Sequence, residues 1–95
     1  MEEKPVLLSV LTPGGEKIRV RCDSVRLVVP DSPDGKTAGG SVGIRRGHAD
    51  ALMAVAPGKI EAFSDGRSAA VCRTEGGLAV IGKNRVSVLT SGVES

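Results

Sequence analysis

The single histidine, His48, is the residue best suited to acid–base chemistry in this chain. Histidine titrates near neutral pH, so a catalytic triad or a general base would have to be built on it. None of the serines is in a context that predicts a nucleophile elbow. Carboxylates that could pair for acid–base work fall in predicted loops or on solvent faces of strands: Asp31, Asp34, Asp50, Glu61 and Asp65. We therefore predict no catalytic residue and disfavour a small hydrolase that acts through His48.

Two cysteines, Cys22 and Cys72, are the other candidates for reactive or metal-binding side chains. Neither has a neighbouring cysteine and His48 is distant in sequence, so the spacing of a zinc site is missing. Both fall at strand positions that the pattern turns inward, where cysteine behaves as a small apolar group. We expect two reduced, buried thiols and neither a metal nor another cofactor.

Gly35-Lys36-Thr37 matches the end of a phosphate-binding loop, in which backbone N–H groups and a lysine hold phosphate at the start of a helix. The complete motif requires a glycine where this chain has Pro30, and the glycines after Thr37 disfavour the helix. We predict a solvated loop from Pro30 to Gly40 and no nucleotide. The adjacent pair Arg45-Arg46 suits either a solvated turn or an interface with carboxylates, which arginine binds with a planar fork.

Composition argues against several classes of function. Phe63 is the only aromatic residue, which leaves little to build a base-stacking platform or an aromatic ligand groove. The net charge of +2 is spread along the chain, and no apolar run approaches the ~20 residues that span a bilayer. The start, Met1 to Pro5, is acidic where a secretion signal is basic. We expect a protein of a cytoplasm-like compartment that neither binds nucleic acid nor inserts into a membrane.

Short strands are the elements predicted to position these residues, because 13 glycines and 5 prolines interrupt 95 residues too often for ordinary helices. Residues 17–23 alternate charged and apolar side chains, with Cys22 among the inward set. In residues 17–23 the inward apolar side chains are at even-numbered positions, but from Val25 onward they are at odd-numbered positions. The chain must therefore change direction near Asp23-Ser24.

Turn signals delimit the other strands. Asp65-Gly66 predicts one hairpin and Gly82-Lys83-Asn84 predicts another, while the segment 49–56 fits a short strand or one helical turn and is taken as a strand. Eight or nine short strands with no long helix are typical of an all-β sandwich or barrel. The predicted strands cover residues 6–11, 17–23, 25–29, 49–56, 59–63, 67–72, 77–81 and 85–90.

The stretch from Ser41 to Leu52, followed by the Pro57-Gly58 turn, resembles the most recognisable segment of the ATP synthase epsilon subunit. In this family a Gly-hydrophobic-x-x-Gly-His-Ala core precedes a short apolar run. Residues 8–13, 75–80 and 84–89 resemble three further family segments in the same order and spacing. The resemblance covers positions 6 to 91 and implies an antiparallel β-sandwich of two sheets with about ten strands, here forming one domain over residues 1–95.

The resemblance also implies a non-catalytic subunit of an F-type ATP synthase, which helps to couple ion translocation to ATP synthesis. In this family the sandwich binds the gamma shaft and the membrane rotor ring, as a peripheral part of a complex on the cytoplasmic face of the membrane. Carried over by position, the shaft-facing residues are Thr12, His48 and Met53. The loop near the ring is Ser41, Val42, Gly43, Ile44, Arg45 and Arg46.

Several residues depart from the family pattern. Ser41 replaces an acidic residue that often faces the ring, and Asp50 replaces a usual proline, so ring docking is expected to use other contacts, such as a charge from Asp34 or Asp50. The family's inhibitory helical hairpin, which binds ATP in some members, has no counterpart before Ser95, so we expect coupling without inhibition. The alternative from another class is a free-standing β-sandwich module that binds a protein or another ligand.

Overall fold

The computed structural model describes residues 5–30 and 38–94 and consists there of ten β-strands in two sheets, with no helix. This confirms the predicted all-β sandwich. The strands are β1 (Val6–Thr12), β2 (Gly15–Cys22), β3 (Ser24–Pro30), β4 (Ala38–Arg45), β5 (Ala51–Val55), β6 (Gly58–Ser64), β7 (Arg67–Thr74), β8 (Gly77–Gly82), β9 (Arg85–Thr90) and β10 (Val93–Glu94).

Each sheet has five strands. Sheet A has the order β2-β1-β9-β8-β5, and sheet B has the order β10-β7-β6-β3-β4. Every strand pair is antiparallel except β1 and β9, which run parallel with Leu8 opposite Val86. A parallel pair cannot be closed by a tight turn, so its strands come from distant parts of the chain, here its two ends.

The core lies between the two sheets and is aliphatic, as the composition predicts. In β1 the inward residues Val6, Leu8 and Val10 are fully buried, and they face inward residues of sheet B such as Val25 and Leu27. Phe63 stays outside this cluster, half-buried at the far side of sheet B. Burying an aliphatic side chain stabilises the fold by roughly 1.5–3 kcal/mol, so these inward rows hold the two sheets together.

The predicted change of direction near Asp23 is the point where the chain leaves sheet A for sheet B. Cys22 ends β2 and Ser24 begins β3, and the backbone N–H of Asp23 donates to the carbonyl oxygen of Phe63 at 2.7 Å. The inward-facing positions change from even-numbered to odd-numbered residues at this point, because the chain passes from one sheet to the other and the core lies on opposite sides of the two sheets.

Two hairpins have tight turns with left-handed backbone. Asp65 and Gly66 have φ values of 55° and 77°, as a type I′ turn requires, and this confirms the predicted hairpin. The second turn is shorter than predicted. Gly82 pairs with Arg85 as the last residue of β8, so only Lys83 and Asn84 form the turn, with φ values of 54° and 61°.

The prediction of a loop from Pro30 to Gly40 is wrong at both ends. Pro30 ends β3, and residues 38–40 begin β4, which pairs along β3 as far as Arg45. Glycines at 39, 40 and 43 suppress the apolar alternation that marks a strand, so β4 was missed. Residues 31–37, including Asp31, Asp34 and Gly35-Lys36-Thr37, lie outside the described residues. The segment taken as a strand at 49–56 is confirmed as β5.

Candidate partner-binding surfaces

The outer face of sheet A carries all four large hydrophobic side chains that are exposed in the described part of the chain. Leu52 is 68% exposed, and the others are 44–46% exposed: Leu78, Val80 and Leu89. Their strand neighbours Ala79, Ile81 and Val88 are buried in the core. Side chains alternate along a strand, so the four exposed residues point away from the core.

Strand register makes these residues one continuous surface. Leu52 pairs with Val80, and Leu89 pairs with both Leu78 and Leu11. Paired residues on one face lie about 5 Å apart, close enough for their side chains to touch. We call this surface the apolar face: Leu11, Leu52, Ala54, Leu78, Val80 and Leu89.

Arginines border the apolar face on the β2 side. Leu7 lies between Arg21 on β2 and Arg85 on β9. It occupies an outward-facing position of β1 but is only 6% exposed. Arg19 occupies the next outward position of β2, with its Nε 3.8 Å from Glu16 Oε1. The surface therefore suits a partner that is apolar at its centre and acidic along one side.

The three predicted shaft-facing residues lie around the apolar face instead of in one cluster. Thr12 ends β1, where its Oγ1 accepts the Gly14 N–H at 3.2 Å. Met53 lies on β5, separated from β1 by β9 and β8, which corresponds to about 14 Å across the sheet. Opposite Ala79, its side chain turns inward and packs against the core.

His48 lies at the opposite end of sheet A from Thr12, in the connection between β4 and β5. Its backbone N–H donates to the carbonyl oxygen of Arg45 at 3.1 Å, and its Nδ1 lies 2.7 Å from the carbonyl oxygen of Ala49. These contacts place a half-buried imidazole at a corner of the sandwich.

The predicted ring-facing segment is a strand up to Arg45, with Arg46 in the following turn. This corrects its description as a loop. Ile44 is 2% exposed and lies in the core, and Val42 packs against the core from a half-buried position. Their side chains support the strand, so the surface available to a partner consists of Ser41, Gly43, Arg45 and Arg46.

Serine and metal chemistry find little support in the geometry. The prediction for the serines overlooked that residues 39–43 have the Gly-x-Ser-x-Gly spacing of a nucleophile elbow. These residues lie within β4, without the strand-to-helix turn that exposes the nucleophile. Within residues 5–30 and 38–94, no three acidic, histidine or cysteine side chains come together as metal ligands. The same residues include no helix that is long and apolar enough to cross a membrane.

The two cysteines are buried and unpaired, Cys22 in sheet A and Cys72 in sheet B. Burial raises the pKa of both thiols above the ordinary cysteine value, and the charge of Asp23 raises the pKa of Cys22 further, while a backbone hydrogen bond from Ser24 lowers it. A buried thiol with a raised pKa carries little thiolate, so both groups are expected to be inert in the folded protein.

A family model for the ATP synthase delta/epsilon chain β-sandwich domain matches residues 6–95. The chain belongs to this family. An ATP synthase epsilon chain from Ruminococcus albus is 39% identical over 89 residues, which is 92% of this chain and 59% of the relative. The chain thus covers 59% of the length of that epsilon chain. The resemblance to the epsilon subunit seen in the sequence is confirmed.

The epsilon-type sandwich also has a counterpart among solved structures. The structure of the central stalk and c-ring of the mitochondrial ATP synthase from Tetrahymena thermophila, determined by cryo-electron microscopy, contains a similar chain with a TM-score of 0.65. The alignment covers 98% of this chain and 68% of that one, at 12% identity, and it shows the shared fold.

The apolar face was missed in the sequence, although a signal was present. Leu78, Val80 and Leu89 are large apolar residues at outward-facing positions of β8 and β9, whose inward-facing positions are also apolar. Apolar residues on both sides of a strand, one side of which faces the core, are a sequence signal for an exposed apolar patch, and such patches often mark interaction sites.

Proposed function

We propose that this chain is the sandwich of a non-catalytic rotor subunit of an F-type ATP synthase. It binds the gamma shaft through the apolar face of sheet A, and it helps to couple ion translocation to ATP synthesis. The apolar face carries this proposal. Six neighbouring apolar residues lie outside a core that is already complete, and contiguous exposed patches of this kind are sites of protein interaction.

The family residues proposed to face the shaft border this surface. Thr12 adjoins Leu11 at one corner, and Met53 lies between Leu52 and Ala54 on the edge strand β5. Met53 reaches a partner only at the open edge of the sandwich, because most of its side chain packs inward. His48 contributes at the far corner. We propose that the exposed leucines provide most of the binding free energy and that these three residues surround them.

The second proposed contact is with the rotor ring, through Ser41, Gly43, Arg45 and Arg46. These positions are exposed and polar or small, which suits the polar loops of a ring better than its lipid-facing surface. The protein would then sit peripherally on the cytoplasmic face of the membrane as part of the complex, and the proposal includes neither a cofactor nor a nucleotide.

A binding titration with purified gamma subunit tests the proposal. Replacing both Leu52 and Leu89 by threonine keeps good strand formers at exposed positions, so the melting temperature should stay nearly unchanged. Affinity should fall at least about tenfold, because buried apolar anchors dominate interfaces. The matched control replaces Lys59 and Glu61 by threonine on the outer face of sheet B and should bind like the parent. Unchanged affinity in the folded leucine variant would overturn the proposal.

A further inference from the structure

The only aromatic side chain, Phe63, lies outside the core, on the outer face of sheet B. The guanidinium carbon of Arg26 lies 4.9 Å from the centroid of its ring. A guanidinium stacked on an aromatic face is attracted by the ring and held in a fixed plane, while its N–H groups remain free along the edge. Phe63 therefore pre-orients Arg26 on the protein surface.

A second arginine lies on the same surface, beside a gap in the layer of side chains. Ser24 pairs with Arg45 on β4 and with Phe63 on β6, and Gly43 pairs directly with Arg26. A β-carbon added at Gly43 would meet no heavy atom within 4 Å. Gly43 thus forms the floor of an open groove between the two arginines, which we call the basic groove: Ser24, Arg26, Gly43, Arg45 and Phe63.

The acidic side chains around the basic groove leave Arg26 and Arg45 available to bind a ligand. Arg45 is exposed and has no ion-pair or side-chain hydrogen-bond partner in the part of the chain that the structure describes. Asp23 lies at the rim, where its Oδ2 accepts the backbone N–H of Asp65 at 2.8 Å. Glu61 on β6 lies opposite Arg26 on β3 in the strand register. In the described residues, 5–30 and 38–94, the two side chains form no ion pair.

We propose that the basic groove binds a carboxylate from an acidic segment of a partner protein. Arg26 and Arg45 would donate to the two carboxylate oxygens, the Ser24 hydroxyl would add a third donor, and Gly43 leaves room for the partner's backbone. A groove that is open to solvent along the outer face of the sheet encloses a small free anion poorly, which favours a side chain presented on a polypeptide. The apolar face belongs to the other sheet, so this inference stands apart from shaft binding, although Gly43 and Arg45 are shared with the proposed ring contact.

Side-chain and backbone NMR signals of the 95-residue chain test this inference without any other ATP synthase subunit. A capped Gly-Glu-Glu-Gly peptide should cause saturable shifts at the Nε–H groups of Arg26 and Arg45 and at the Gly43 amide. A capped Gly-Gln-Gln-Gly peptide should leave these signals unmoved. Inorganic phosphate gives the third arm: saturation by phosphate at a lower concentration than by the glutamate peptide would overturn the assignment to an acidic protein segment.

Three variants locate the site. Arg26→Gln and Arg45→Gln should each weaken peptide binding at least fivefold, and Gly43→Val should weaken it as much by filling the floor without changing charge. Arg73→Gln is the matched control, since Arg73 is an exposed arginine elsewhere on sheet B. Amide spectra establish that each variant is folded. An equal loss of binding in Arg73→Gln and Arg45→Gln would show general charge attraction and overturn the proposal, as would unchanged binding in Gly43→Val.

Discussion

The backbone N–H of Gly47 donates a 2.8 Å hydrogen bond to the side-chain oxygen of Asn84, 37 residues later in the chain. The backbone carbonyl of Asn84 in turn accepts the N–H of Leu7 at 3.0 Å. One turn residue therefore joins the β8–β9 hairpin to the start of β1 and to the connection that carries His48. The hydrogen bond from Gly47 thus ties the connection that carries His48 to the turn between β8 and β9.

Replacing Asn84 by glycine should loosen the His48 connection while preserving the turn. Glycine accepts the φ of 61° at this position but removes the acceptor for Gly47, so we expect a loss of about 1 kcal/mol in the free energy of unfolding. Hydrogen exchange at the Gly47 amide should accelerate. Asn84→Asp keeps an acceptor and is the control. Unaltered exchange in Asn84→Gly would show that the hydrogen bond does not hold the connection.

Adjacent residues on β5 should affect different properties. Leu52→Ala removes an outward side chain, so it should weaken gamma binding with little change in stability. Met53→Ala removes an inward side chain that packs against the core, so it should lower the free energy of unfolding by about 1–2 kcal/mol and affect binding less. Urea denaturation and the gamma titration together check this. The opposite pattern would mean that β5 presents Met53 to the shaft.

Gly77 should tolerate no side chain. A β-carbon built there would clash with the backbone carbonyl oxygen of Leu89, on a backbone with φ of 152°. Gly77→Ala should cost about 3–5 kcal/mol, which is enough to unfold much of a small domain. Gly66→Ala is the comparison, since its β-carbon meets open space and only the left-handed φ costs about 1–2 kcal/mol. Thermal melts of both variants should differ clearly, and equal melting temperatures would contradict the close approach of β8 to β9.

Ionisation of the buried thiols should destabilise the protein at alkaline pH. Because burial raises the pKa of Cys22 and Cys72 in the folded state, the neutral thiols contribute stability below the ordinary cysteine pKa of about 8.5, and this contribution is lost as pH rises through the higher folded values. The free energy of unfolding should fall above that pH more steeply than in a Cys22→Ala, Cys72→Ala variant. Parallel curves would show that the thiols do not contribute.

A reagent for thiols gives an independent check of the same burial. At pH 8 both cysteines should react only as fast as the protein unfolds, because the side chains are 0% and 4% exposed. Reaction of either thiol with the folded protein at the rate of a free cysteine would contradict its position in the core.

Local chemistry alone determined much of this protein. The alternation over residues 17–23, the parity change at Asp23 and the Asp65-Gly66 turn depend on neighbours in sequence, and each predicts its element correctly. The family emerged from Ser41 to Leu52, where side-chain order is itself the signal. The aliphatic composition also predicted the core. Such features can be predicted because strand period and turn geometry are set by a few adjacent residues.

Only the tertiary structure decided what these strands present to a partner. The parallel pairing of β1 with β9 brings Leu11 beside Leu89, and no local rule links residues so far apart. Strand β4 escaped prediction because its glycines carry no apolar pattern, and its pairing with β3 is what places Gly43 against Arg26. The apolar face and the basic groove are properties of lateral register between strands, and register is fixed by packing of the whole core.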